Sequence, residues 1–249
     1  MRKACGLDVG LSTGQARAMN IVILTGAGIS AESGLGTFRD TGGIWARYDI
    51  GEVATPEGFA RDPDKVHAFY NARRANAAGA RPNAAHLALG RLLRDRPGQV
   101  TLVTQNIDAL HEAGGAEGVI HMHGELSRAL CAACGARWEA PPEMGAQDPC
   151  PACGARATRP DVVWFGEIPY HMDRIADALA AAGLFVAIGT SGSVYPAAGF
   201  VAEARALGIP TLEINLTPSD TSGAFDAVRL GPATEVVPAW VDEILAAPA

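Results

Sequence analysis

The chain has 249 residues, with 20 basic against 27 acidic side chains and a formal net charge of -7. An apolar fraction of 48% and a charged fraction of 19% suit a globular protein with a substantial core. They exclude wholesale disorder, a collagen and a small disulfide scaffold, and the acidic balance argues against a protein that holds nucleic acid by general phosphate attraction. Residues 1–19 show no period and no apolar run of the roughly 7–15 residues a secretory signal needs. They read as a loose tail with Cys5 as an incidental thiol. No run approaches the roughly 18 apolar residues of a membrane span, so a cytoplasmic protein with reduced thiols and no membrane partner is expected.

Residues 20–25 form the first continuous apolar strand, and residues 99–104, 184–189 and 210–215 repeat the pattern. Apolar runs without alternation belong to strands buried on both faces, as in a parallel sheet. Helical patterns lie between them, over residues 64–78, 83–94, 172–182, 197–207 and 237–247. Gly183 and Gly208 follow two of these helices and suit their C-terminal caps. Strands alternating with helices predict a doubly wound α/β sheet of Rossmann-like type. Two stretches break the rhythm. Residues 35–63 are rich in Gly, Thr, Asp and Pro, and residues 125–160 contain four cysteines among many Pro and Gly. Each reads as part of a smaller lobe set apart from the sheet.

Six motifs carry chemistry. Gly26-Ala27-Gly28-Ile29-Ser30-Ala31 follows a strand directly and matches a turn whose glycines let the backbone approach a pyrophosphate. A tight strand–helix turn is the alternative. The acid expected about 20 residues on would be Asp49 or Glu52, neither at a strand end, so the ordinary dehydrogenase pattern fails. Cys131-x-x-Cys134 and Cys150-x-x-Cys153 have zinc-ribbon spacing. Four thiolates close a tetrahedral site, which makes the metal structural, with a redox pair or an iron–sulfur site as the alternatives. Gln105, Asn106 and Asp108 end a buried strand, at the edge where ligands bind open α/β sheets, although Asn106 or Asp108 could instead cap a helix.

His121 and His123 share one side of a strand if residues 121–123 are extended, so both could face one cleft, with His as the commonest general base. The extended run of residues 161–167 offers backbone groups to a peptide by strand addition. Gly189, Thr190 and Ser191 end another buried strand, placed for phosphate or ribose, and Asn215 ends the next. His67, His86, His111 and His171 read as structural or surface residues.

The set GAGISAESG with TFRD, TQNID, HMHG, the paired CxxC, VVWFGE and GTSGSVYP, in this order, resembles the sirtuin family, from about residue 20 to the C-terminus. The resemblance is to the bacterial class III-like deacylases. It implies one catalytic domain over residues 20–249, a Rossmann-like large domain with a small lobe from a helical part at 35–80 and a zinc ribbon at 125–160. It implies NAD as co-substrate, one structural zinc, and acyl-lysine proteins as substrates of a monomer.

By this resemblance Gly26, Ala27 and Gly28 border the NAD pyrophosphate, and Phe38 and Arg39 lie on a cofactor loop. Gln105, Asn106 and Asp108 shape the ribose and nicotinamide pocket, and Gly189, Thr190, Ser191 and Asn215 meet the adenosine half. His123 acts as general base. Val163, Phe165, Gly166 and Glu167 line the acyl-lysine cleft. The implied reaction passes the acyl group to ADP-ribose, with release of nicotinamide and free lysine. Tyr70 and Arg73, at i and i+3, share a helix face and resemble the Tyr-x-x-Arg that grips succinyl and malonyl carboxylates, with Ala54 as the small residue that widens that pocket. Where many relatives carry proline in the first motif, Gly36 stands here. The competing readings are mono-ADP-ribosyl transfer and a non-catalytic zinc-ribbon adaptor.

Overall fold

The computed structural model describes residues 20–36 and 49–246, so the expected tail over residues 1–19, together with Phe38 and Arg39, lies outside the described residues. In chain order the elements begin with β1 (Ile21–Thr25), α1 (Gly28–Ala31), α2 (Ile50–Val53), α3 (Pro56–Arg61), α4 (Pro63–Gly79) and α5 (Ala84–Asp95). Then come β2 (Val100–Thr104), α6 (Leu110–Ala113), β3 (Ile120–His121), β4 (Gly124–Cys131), β5 (Arg137–Glu139) and β6 (Thr158–Val162). The chain closes with α7 (Met172–Ala180), β7 (Leu184–Ile188), α8 (Phe200–Ala206), β8 (Thr211–Asn215), β9 (Ala227–Leu230) and α9 (Ala233–Ala246).

Six strands pair in the order β3-β2-β1-β7-β8-β9, every neighbour parallel. This is the doubly wound order of a Rossmann-like sheet, and it reverses between β1 and β7. Alternate residues of the same strands feed two cores. Ile21, Ile23, Val186, Leu212 and Ile214 pack with Leu89, Leu92, Val237 and Trp240 from α5 and α9. Val22, Leu24, Val103, Phe185 and Ala187 pack on the opposite face with Ile175 and Leu179 from α7 and Val201 and Ala204 from α8. Burial on both faces is the reason the strand sequences do not alternate.

The second sheet is antiparallel, in the order β5-β4-β6, and carries the cysteine pairs at its end. A third and smaller core joins it to α2 and α4 through Val53, Val66, Phe69, Tyr70, Leu126, Val162 and Trp164. Residues 49–61 are more regular than their composition suggests. Asp49 accepts from Gly51 N at 2.9 Å to start α2, and Thr55 accepts from Gly58 N at 3.0 Å to start α3.

Three element boundaries depart from the sequence reading. Gly208 has φ +72 and serves as the expected left-handed stop, but Gly183 does not, because α7 ends at Ala180. Gly183 instead donates to Asn20 O at 2.8 Å and leads into β7. Helix α9 begins a turn before Val237 and runs through Pro238. Its first turn is tied to Glu32, which accepts from Thr234 N at 3.0 Å and from Thr234 Oγ1 at 2.7 Å. The helix expected over residues 197–207 opens as a 3-10 turn and becomes α-helical only at Phe200.

Candidate active site

The carboxyl ends of β1 and β7 meet at the reversal point. Gly26 N donates to Ile188 O at 3.0 Å, and Gly28 N donates to Gly189 O at 2.9 Å. The approach is so close that a Cβ on Gly28 would lie 2.7 Å from Gly189 Cα, and one on Gly189, at φ +62, would lie 2.5 Å from Ile29 N. These glycines are therefore required by the contact between the two strand ends. Helix α1 behind the turn has only four residues, so its dipole is short.

A cavity of about 610 Å³ opens over this junction. Gly26, Ala27 and Gly28 line it just after β1, Gln105, Asn106 and Asp108 after β2, Gly189, Thr190 and Ser191 after β7, and Asn215 at the end of β8. His123 lies against the same cavity, and beyond it stand Ala54, Tyr70, Arg73, Val163, Phe165, Gly166 and Glu167. The cofactor and acyl-lysine candidates within the described segments thus converge on one space from elements spread over more than half of the chain. Neither Asp49 nor Glu52 takes part. Asp49 caps α2, and Glu52 pairs with Lys65 Nζ at 2.7 Å.

The polar groups of the cofactor-sized half are held by one another. Asn106 Nδ2 donates to Gly26 O and to Ser30 Oγ, both at 3.1 Å. Ser30 Oγ donates to Asp108 Oδ2 at 3.2 Å, and Leu110 N donates to Asp108 Oδ1 at 3.0 Å. The helix-capping alternative for Asp108 is not realised: the N-cap position of α6 is Ala109, without a side-chain cap bond, and the Leu110 bond closes a turn ahead of the helix. Burial pushes the Asp108 carboxyl up, and the bonds from Leu110 and Ser30 oppose that shift. Underneath, Thr25 Oγ1 donates to Thr104 Oγ1 at 2.8 Å and lies 2.9 Å from His111 Nε2. Since the Thr25 proton goes to Thr104, His111 Nε2 is the donor in this pair. His86 stacks edge-on to His111 at 5.0 Å, and burial pushes the two imidazoles down to about 4 and about 3 respectively, so both are neutral at pH 7.

His123 Nδ1 lies 3.1 Å from Gln105 O. A carbonyl only accepts, so Nδ1 carries the proton and Nε2 carries the basic lone pair. Burial lowers the His123 pKa, partly offset by the Gln105 bond, so the ring is neutral and able to accept a proton near pH 7. His121 does not share this cleft, contrary to the expectation from alternation. Strand β3 stops at His121, whose ring turns away to Glu112 Oε1 at 2.8 Å and Asn106 O at 3.2 Å.

The other half of the cavity is more apolar. Trp164 Nε1 donates to Tyr70 Oη at 3.0 Å, and the Arg73 guanidinium lies 5.9 Å from the Tyr70 ring centre. Burial raises the Tyr70 pKa, so its hydroxyl stays protonated, and burial lowers that of Arg73. Val163 N donates to His123 O and Phe165 N donates to Ala54 O, both at 2.9 Å. The Glu167 carboxylate is spent inside the protein. It takes Arg159 Nη1 at 2.6 Å, Arg159 Nη2 at 2.9 Å and Trp164 N at 2.8 Å. Burial alone would raise its pKa, but Arg159 and the Trp164 amide hold it below the usual carboxylate range.

Sequence reading missed Ser30 and Arg159. Ser30 was in plain view inside the glycine motif, whereas nothing in the chain near Arg159 signals that it lies over the Trp164 ring, 3.4 Å from its centre. It also missed the turn Gly231-Pro232-Ala233 after β9, which reaches the cavity rim.

The four cysteines cluster with all sulfurs within 4.8 Å of one another, and the Cys131–Cys153 and Cys134–Cys150 pairs are 3.8 Å apart. Thiolates at about 2.3 Å from a tetrahedral zinc stand about 3.8 Å from each other, so the donor set fits that ion. Gly135 N donates to Cys131 O and Gly154 N to Cys150 O, both at 2.8 Å, and both glycines have φ +74. Two equivalent knuckles thus present the sulfurs. The metal would be closed to substrate and would stabilise the fold.

The family model described as "Sir2 family" matches residues 26–196. An NAD-dependent protein deacylase from Caulobacter vibrioides is 62% identical over 235 residues, 92% of this chain and 98% of the relative. Among solved structures, a mutant Sir2 homologue in complex with ADP-ribose superposes with a TM-score of 0.87 at 37% identity, covering 96% of each chain. A Sir2 homologue in complex with NAD gives a TM-score of 0.85 at 36% identity, over 98% of this chain and 96% of that one.

Proposed function

The chain belongs to the Sir2 family, and from that premise we propose that it is an NAD-dependent protein-lysine deacylase that removes acetyl groups and also the acidic succinyl and malonyl groups. The observation that carries the reading is the neutral His123, its Nδ1 proton fixed on Gln105 O, at the junction of the two halves of one cavity. NAD supplies the ribose carbon that takes the acyl oxygen as nicotinamide departs.

The protein's own residues do the rest. Gly26, Ala27 and Gly28, with Gly189, Thr190 and Ser191, offer backbone groups at the pyrophosphate, and Asn215 faces the adenosine half. Gln105, Asn106 and Asp108 orient the ribose that bears nicotinamide, preset by the bonds through Ser30. His123 takes a ribose hydroxyl proton at Nε2. Val163, Phe165 and Gly166 receive the lysine-bearing peptide along their backbone, and the Val163–His123 bond ties that cleft to the base. Glu167 acts here through Arg159 and shapes the cleft from within. A cytoplasmic setting suits four thiolates kept as metal ligands. No helix among the described residues is long and apolar enough to cross a membrane.

The acidic acyl range rests on Tyr70, Arg73 and Ala54. Tyr70 Oη already accepts from Trp164, so its proton is the group left to donate to a carboxylate. An arriving carboxylate would also lower the desolvation cost of the Arg73 cation. The test is to follow nicotinamide and acyl-ADP-ribose with NAD and either acetyl- or succinyl-lysine peptide. Turnover should fall by about 10²–10⁴ in His123→Ala with the fold retained. Arg73→Met should reduce desuccinylation by about tenfold or more relative to deacetylation. Equal losses on both peptides refute the carboxylate clamp, and absence of nicotinamide release with any acyl peptide refutes the deacylase.

A further inference from the structure

The two histidines of the His121-Met122-His123 segment hold successive carbonyls of the loop after β2. His123 takes Gln105 O, and His121 takes Asn106 O at 3.2 Å. Their second nitrogens differ. That of His123 is the basic site described above, whereas His121 Nε2 stands 2.8 Å from the Glu112 carboxylate. Both nitrogens of His121 therefore face oxygens that only accept. A neutral imidazole has one proton and would turn a lone pair against one of them, so the two bonds together require both protons.

The Asn106 carbonyl is a consequential atom to hold. The Asn106 side chain reaches Gly26 O and Ser30 Oγ, and Ser30 bonds Asp108. A shift at Asn106 thus reaches the glycine turn and the Asp108 carboxylate together. Glu112 is on α6, so the contact pins this loop to the helix that follows it.

We propose that His121 is a positioning residue that works as an imidazolium, with one N–H on the Asn106 carbonyl and the other on Glu112, and so keeps Asn106 and Asp108 in register with NAD. The role rests on the deacylase reading for its consequence in turnover, but the protonation state does not. The charged and titratable groups around the ring are Glu112 and His111 on α6, Glu125 on β4 and Asp108 in the loop. Burial alone would lower the pKa of His121, but Glu112, Glu125 and the Asn106 carbonyl together raise it. The same short motif then holds one neutral ring and one charged ring at the same pH.

Two measurements test this. Histidine-selective 15N NMR of the full chain without NAD, between about pH 6 and 9 around the ordinary histidine value, reads the protons directly. His121 should carry both near neutral pH and lose one only at higher pH, while His123 should carry Nδ1–H alone. Assignment comes from His123→Ala and from the resonances displaced in Glu112→Gln. The second measurement is the pH profile of kcat/KM for NAD in Glu112→Gln, a conservative change at an exposed side chain. Its basic limb should move down by about one pH unit, as expected when a partner charge is removed from a histidine, with zinc content and the fold retained. A merely structural ion pair would not move that limb. A neutral His121 near pH 7, or a basic limb unmoved by Glu112→Gln, overturns the proposal. Failure of the wild-type protein to release nicotinamide would remove the deacylase reading while leaving the NMR result to decide the state of His121.

Discussion

The parallel sheet and the cysteine-bearing lobe support one cavity by different means. The sheet buries both faces of its strands under α5, α9, α7 and α8 and organises its polar edge through hydrogen bonds among Thr25, Ser30, Thr104, Asn106 and Asp108. The lobe has three strands and a smaller core, and it gathers its far end with four sulfurs. One half can stand on apolar burial, while the other leans on a metal. The residues proposed for the cofactor sit on the first and those proposed for acyl-lysine on the second, so the two halves of the cavity rest on different supports.

The sharpest way to break this contrast is to remove the metal. Chelation, or Cys150→Ser, should abolish zinc binding and turnover while hydrogen exchange in β1, β2, β7 and β8 stays slow. Structural zinc is worth about 10–16 kcal/mol in small zinc domains, more than the lobe's core can replace. Loss of protection in both halves together would show a single cooperative unit and erase the distinction. Next in size is Leu89→Ala, which empties a fully buried position in the sheet core. It should cost about 2–5 kcal/mol of stability, read as a lower Tm, with zinc content and the ratio of succinyl to acetyl turnover unchanged.

A third test is with pH. His86 and His111 stay neutral in the fold down to about 4 and about 3. In the unfolded chain they protonate below about 6.5. Unfolding therefore takes up protons in this window, and stability should fall as pH drops from about 6.5 toward those values. His121 acts in the other direction. Its raised pKa gives stability that is full below about 6.5 and lost as pH rises through the folded value. Denaturant titrations at several pH values would check both limbs, and a flat profile below neutrality would contradict the buried neutral pair.

The sequence revealed the sheet more readily than the lobe. Strands β1 and β7 are buried throughout and announce themselves as apolar runs, and β2 and β8 remain legible although Thr101 and Glu213 interrupt theirs. Strand β3 has two residues, and β9 alternates half-buried with exposed positions at the sheet edge, so neither leaves such a run. The cysteine spacing foretold the metal cluster because its ligands are paired within short turns. The Asn106–Gly26 and Tyr70–Trp164 bonds join residues 80 and 94 positions apart, and no local pattern encodes them. His121 and His123 show the same limit. Alternation placed them together, but the strand ends between them.

The interlock of Gly28 with Gly189 has an evolutionary consequence. Each position forbids a side chain because of the other's main chain, so shrinking a neighbouring side chain cannot make room. The two positions are therefore held to glycine independently, and a substitution at one is not compensated by a change at the other. A library randomised at both should return glycine at both, whatever acyl group is used for selection.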